Sequence, residues 1–213
     1  GRRWLFDCTP DFIEQMGLAE GHPPTRKTEG PRPPLVDGIF LTHAHMGHYA
    51  GLLQFGREAY VANEIPTWVT PRFREFLTKN GPWSLLVEEK RITLNEMKDG
   101  ERVELAPDLH VVPFKVPHRD EFSDTVGFEI HGPKKTLVYL PDIDKWEKWE
   151  RRIEDVLENC DFALLDGCFY ADGEVRGRSM KEIPHPFIVE SIQRFGDLPL
   201  LQRSKVWFTH LNH

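Results

Sequence analysis

The segment LTHAHMGHYAG, residues 41–51, places three histidines within six positions, just ahead of residues that read as the start of a helix. Side chains at i and i+2 of an extended chain point to one face, so His43 and His45 converge where a strand ends. A tight turn through Met46 and Gly47 then returns His48 toward them at the helix start. This crowding suits a metal, because neutral imidazoles bind zinc at roughly 2.0–2.1 Å and a catalytic zinc takes three protein ligands while keeping a position for water. An isolated histidine is ordinarily hydrogen-bonded or solvent-facing; three at this spacing reverse that reading.

The rest of the chain alternates short apolar runs with helical patterns, which predicts an α/β fold. RRWLFDCTPDF reads as a strand ending at Asp7 with a turn at Thr9-Pro10, followed by a short helix over FIEQMGL. EGHPPTRKTEGPRPP is too rich in proline for a regular element and is a loop. LVDGIFLT predicts a buried strand, HAHMGH its exit loop, and YAGLLQFGREAY an amphipathic helix. Further strands are expected at AYVA, RITL, LHVVPFKV, TVGFEI, KTLVYL, DFALLDG and SKVWFTH. Helices are expected at TPRFREFLTKN, DKWEKWERRIEDVLEN and PFIVESIQRFG.

With 213 residues, 39% hydrophobic and 29% charged, the working expectation is a single domain over 1–213. A net charge of -7 without a concentrated basic run argues against gripping a nucleic acid backbone and favours a small-molecule substrate. No apolar stretch approaches the roughly 20 residues of a membrane helix. Cys8, Cys160 and Cys168 are too few and scattered for a disulfide framework or a CxxC clip, with a Cys160–Cys168 pair left open.

THAHMGHYAG resembles the HxHxDHxxG signature of the metallo-β-lactamase-fold superfamily, matched at His43, His45, His48 and Gly51, with Gly47 where the aspartate is expected. The resemblance implies an αββα sandwich with a mono- or dinuclear metal site fed by loops after successive strands. The later ligand positions fall in order in KVPHRD, VYLPDID and VWFTHLNH, at His118, Asp142 and His210, each after an apolar strand. DCTPDF, DFALLDGCFY, IPHP and THLNH resemble the pyrroloquinoline-quinone biosynthesis protein B group within that superfamily. The superfamily's sandwich begins before the strand ending at Asp7 and continues past His210, so a partial domain is expected, lacking N-terminal strands and the C-terminal end.

Roles follow from charge. A first metal on His43, His45 and His118 has only neutral protein ligands, and its full charge lowers a bound water's pKa toward roughly 7. A second would use His48 and His210 with Asp142 bridging, weakened by the carboxylate that Gly47 removes. One or two zinc ions are expected, with iron or manganese as alternatives, and Asp144 is the alternative carboxylate at the Asp142 turn.

His185, held between prolines in IPHP, reads either as a catalytic acid or oxyanion donor, working beside Asp142, or as a surface loop histidine. Asp7 reads either as the partner of a ligand histidine or of the histidine loop, or as a turn cap. Trp83 in NGPWSLL is placed in a turn, as a pocket wall or as core. Asp161 and Asp166 flank a strand, where Asp166 approaches the site or caps a turn. Trp146, Trp149, Ile153, Val156 and Leu157 read as a buried helix face. His213 reads as solvent-exposed or as lacking its partner.

The expected function is a metal-dependent hydrolase that turns a metal-bound hydroxide on an ester-like or phosphodiester-like bond. Two alternatives stand beside it: iron-dependent oxidation in a pyrroloquinoline quinone-like cofactor biosynthesis, and a non-catalytic metal-binding protein.

Overall fold

The computed structural model describes residues 2–21, 34–175, 179–180 and 183–212. Most of the expected proline-rich loop and His213 lie outside these residues. The described chain packs as two compact units, Gly1–Lys98 with Asp120–Asp124, and Asp99–Arg119 with Thr125–His213. Each carries one β-sheet with helices, and the fold is the α/β, two-sheet αββα class.

In the first unit, β1 (Trp4–Phe6), β2 (Gly38–Phe40), β3 (Ile65–Val69) and β4 (Ile92–Glu96) form an all-parallel sheet in that order. β2 is buried throughout, as strands of parallel sheets are. Because Phe6 pairs with Phe40, the carboxyl ends of β1 and β2 lie side by side, and Asp7 emerges next to Leu41 and Thr42. Helices α1 (Phe12–Leu18), α2 (Met46–Tyr49), α3 (Pro71–Lys79) and α4 (Trp83–Glu88) accompany this sheet. α3 starts where sequence rules place it, with Thr70 capping the Phe73 N–H and Pro71 at the first helical position. Phe12, Tyr49, Phe55, Phe73 and Leu77 are among the buried residues of this core.

In the second unit, β5 (Val103–Ala106), β6 (Leu109–Lys115), β7 (Val126–His131), β8 (Thr136–Leu140), β9 (Phe162–Asp166) and β10 (Val206–Thr209) form a mixed sheet in the order β10-β9-β8-β7-β6-β5. β8, β9 and β10 run parallel, while β6 and β8 are each antiparallel to β7. The carboxyl ends of β6, β8, β9 and β10 therefore all open at one edge. Pro113 is tolerated inside β6 because its carbonyl accepts from Gly100 beyond the last β5 pair, on a side where no ladder bond is lost. Helices α5 (Ile153–Glu158), α6 (Ile188–Arg194) and α7 (Leu200–Arg203) complete the unit.

Several local expectations are corrected. AYVA is not a strand: Val61 has φ 60, and the strand lies further on, at β3. The expected helix from Tyr49 is instead the short α2 followed by a 3-10 helix over Ala50–Phe55. Gly51 there lies against the Cys8–Thr9 backbone, where a Cβ would stand 2.2 Å from the Thr9 carbonyl oxygen, so the close approach requires glycine. The long helix expected from Asp144 breaks into a 3-10 turn, Trp146–Lys148, and α5. Its apolar stripe is buried as expected. The break follows from two indole anchors, Trp146 Nε1 donating to Ser191 Oγ at 2.9 Å and Trp149 Nε1 to the Lys115 carbonyl at 3.1 Å. Trp83 opens α4 rather than lying in a turn, buried against Tyr49 and Phe76.

Candidate metal centre

The first unit brings Asp7, His43, His45 and His48 together. Asp7 leaves β1 at φ 60, a left-handed conformation that aspartate adopts more readily than most residues. Its buried carboxylate accepts from the Thr42 N–H at 2.8 Å, from Thr42 Oγ at 2.9 Å and from His48 Nδ1 at 2.7 Å. Both suggested contacts of Asp7 therefore occur: it holds the histidine loop and it orients a histidine.

Thr42 Oγ stands 2.9 Å from Asp7 Oδ1 and 3.0 Å from His43 Nδ1, linking the two. His45 Nε2 stands 2.9 Å from Glu121 Oε2 and donates to it. The inner atoms, His43 Nε2 and His45 Nδ1, face each other 2.8 Å apart. As neutral imidazoles they present two nitrogens to a single cation. This donor pair, with each outer nitrogen held by a carboxylate, directly or through a hydroxyl, fits a divalent transition metal.

The second unit assembles its residues at the open edge of its sheet. His118 follows β6, Asp142 follows β8, Asp166 ends β9 and His210 follows β10 with φ 58. His118 Nε2 lies 3.9 Å from Asp142 Oδ2, and His210 Nδ1 lies 3.3 Å from Asp142 Oδ1. His185 arrives from the loop before α6, which is tied down where Ile188 N–H donates to the Phe169 carbonyl. Its Nδ1 stands 2.8 Å from Asp166 Oδ2 and 3.4 Å from Asp142 Oδ1. His185, Asp142 and Asp166 thus form a buried His/Asp cluster.

Burial pushes the Asp166 carboxyl above the usual carboxylate range, against the pull of His185. Burial alone would lower the His185 imidazole, but the hydrogen bond and charge of Asp166, with Asp142 behind it, outweigh burial and raise it. Asp166 also accepts from the Ile143 and Cys168 N–H groups, which fixes it in place.

His185 is a buried residue and not a surface loop histidine. Asp144 turns away from Asp142 and pairs with Lys148 at 2.7 Å. Asp161 takes the Thr136 N–H and Lys135, a structural role at the start of β9. All three cysteines are free thiols, and burial, reinforced by Asp166 and Asp142, pushes Cys168 up to about 12, which keeps it protonated and a poor metal ligand. Two contacts escaped the sequence reading. Glu121 on His45 and Ser123 Oγ accepting the Ala44 N–H at 2.8 Å both come from a segment more than seventy residues away, with no local motif to mark them.

The chain belongs to the beta-lactamase superfamily domain family, which matches residues 2–211. Within it, the chain is similar to coenzyme PQQ synthesis protein B of several bacteria. It is 25% identical to that protein of Nitrosococcus oceani over 82% of this chain, spanning 61% of the relative's length. A structure of zinc-bound PqqB from Methylobacterium extorquens shares the fold with a TM-score of 0.73 at 22% identity, covering 99% of this chain and 73% of that one. A ribonuclease of Thermus thermophilus is 27% identical over 93% of this chain and 43% of its own length. The fold is thus one that hydrolases use. No helix among the described residues is long and apolar enough to cross a membrane.

Proposed function

We propose that the protein is a metal-dependent hydrolase acting on an ester-like or phosphodiester-like bond of a small substrate. The observation that carries this reading is the pair of inner imidazole nitrogens on His43 and His45, brought within 2.8 Å of each other. The ligand set is His43, His45, His48, His118, Asp142 and His210, holding one or two zinc ions. Zinc bound by such residues supplies Lewis acidity and brings the pKa of a coordinated water down to about 7.

The protein's own residues supply the rest. Asp166 keeps the His185 proton on Nδ1 and stabilises the imidazolium, so Nε2 is the atom that exchanges protons with substrate. When the bond to the leaving oxygen breaks, His185 Nε2–H passes its proton to that oxygen. Asp142, 3.4 Å from His185 Nδ1, acts both as metal ligand and as the second carboxylate behind that proton. Family membership and the ribonuclease relative support the hydrolytic reading.

A panel of chromogenic esters, lactams and phosphodiesters, run on protein whose metal content is measured after purification without added metal, tests this. Zinc-dependent turnover of one class is expected. The likeness to PQQ synthesis protein B favours a second reading, iron-dependent oxidation in cofactor biosynthesis. Iron-dependent oxygen uptake with no turnover across the panel would establish it, and metal binding with neither activity would indicate a non-catalytic metal-binding protein.

Gly47 makes a further prediction. A Cβ there meets nothing within 4 Å, so Gly47→Asp fits without strain and adds a carboxylate of the kind that binds zinc at about 2.0–2.2 Å. Zinc titration is expected to show a tighter or additional second ion; identical stoichiometry and affinity would mean that the second site is already complete without the carboxylate or does not exist.

A further inference from the structure

We infer that Lys145 is a positioning residue which, through Glu190 and Phe187, fastens the loop carrying His185 to the turn that carries Asp142. The inference rests on the proposed role of His185 for its catalytic consequence, while the contacts behind it lie wholly in the second unit. His185 belongs to a loop between prolines and has no helix or strand of its own to hold it. The place of its ring therefore depends on where that loop is anchored.

Three residues close the anchor. Glu190 folds back from the first turn of α6, and its Oε2 accepts the Phe187 N–H at 2.8 Å. The same oxygen accepts from Lys145 Nζ at 2.6 Å. Lys145 Nζ also stands 3.8 Å from the centroid of the Phe187 ring, a cation–π distance. One ammonium group grips both the carboxylate that caps α6 and the side chain that the cap orders. Pro186 is the single residue between Phe187 and His185, and its ring fixes φ, so the anchored position is passed on to His185 with one rotation fewer.

The other end of the clamp is fixed as well. In the turn after β8, the Ile143 N–H donates to Asp166 Oδ2 at 3.1 Å, and Trp146, next to Lys145, donates to Ser191 Oγ. On the far side of the loop, the Ile188 and Val189 N–H groups donate to the Phe169 and Tyr170 carbonyls. The Lys145–Glu190 pair is partly exposed, at 22% and 44%, and such pairs contribute little to overall stability. Its consequence is geometric, because a small misplacement of a reacting group lowers a rate far more than it lowers stability.

Lys145→Met keeps the side-chain stem and removes the charge. With zinc-loaded protein acting on bis-p-nitrophenyl phosphate or p-nitrophenyl acetate, it is expected to lower kcat about 10- to 100-fold, with KM and zinc content unchanged. Lys145→Arg keeps the charge and should restore most of that loss. In a His185→Ala background, Lys145→Met should lower kcat no further, since residues that act through one another are not additive. In metal-free protein, hydrogen exchange at the Ile188 and Val189 amides should be about 5- to 10-fold faster in Lys145→Met, the scale of one exposed ion pair and one cation–π contact. Lys135→Met, which breaks the ion pair with Asp161 at the opposite end of β9, should match wild type in both readouts. An equal fall in kcat with and without His185 overturns the inference, as does unchanged kcat in Lys145→Met or unchanged exchange at Ile188 and Val189. Absence of turnover by the wild type would overturn the hydrolase reading instead, leaving hydrogen exchange to decide whether Lys145 holds the His185 loop.

Discussion

Replacing His185 by alanine is expected to lower turnover about 10²- to 10⁴-fold, the usual contribution of a positioned acid–base group, while zinc content stays at the wild-type level. The separation of the two readouts follows from what His185 touches. Its Nδ1 is bound to Asp166 at 2.8 Å, so the imidazole is held as a proton carrier by a carboxylate outside the proposed ligand set. Removing the ring leaves Asp166 still accepting from the Ile143 and Cys168 N–H groups, so its position does not depend on His185. Elemental analysis beside the rate assay checks this. Zinc and activity lost together would make His185 a ligand, and unchanged turnover would remove it from the chemistry. His43→Ala, by contrast, should lose zinc and activity at once.

Asp7→Ala is expected to be the most destabilising change at the site, by about 3 kcal/mol, the upper end of the cost of leaving a buried hydrogen-bonding group without its partner. For a protein of this size that lowers Tm by roughly 6–12 °C, at about 2–4 °C per kcal/mol. The carboxylate is 1% exposed and accepts from the Thr42 backbone, the Thr42 hydroxyl and His48, so its loss leaves buried donors unpaired. The left-handed backbone at Asp7 adds to the cost for alanine. Asp7→Gly separates the two effects, since glycine accepts that conformation freely while still lacking the carboxylate. Melting of metal-free protein is the measurement. A shift of less than about 2 °C, no more than about 1 kcal/mol on the same scale, would mean that the histidine loop is held by other contacts.

The two variants also mark where the sequence is informative. His43, His45 and His48 stand out because a metal-binding turn compresses its residues into a few positions, and strand-end geometry alone predicts that the first two converge. His118, Asp142 and His210 became candidates through the family resemblance, which places later ligands after successive apolar strands, and the structure puts each of them after such a strand. Asp7 and His185 were legible as candidates with two readings each, since a single polar residue at a turn carries no period.

What settles such residues is pairing over distance. Asp7 meets Thr42 because β1 and β2 are parallel neighbours in register, and sheet register depends on partners 34 residues apart. Asp166 meets His185 because a long loop folds back onto the end of β9. The helix expected from Asp144 carried a correct apolar stripe, yet hydrogen bonds from two indoles to Ser191 and Lys115 broke it in two. The sequence alone therefore determined the α/β class, most strand positions and the crowding of histidines, all of which are written in local spacing and hydrophobic period. Only the tertiary structure decided which partners hold each histidine, because these are single side chains such as Glu121, 76 positions from His45, whose approach leaves no pattern in the chain.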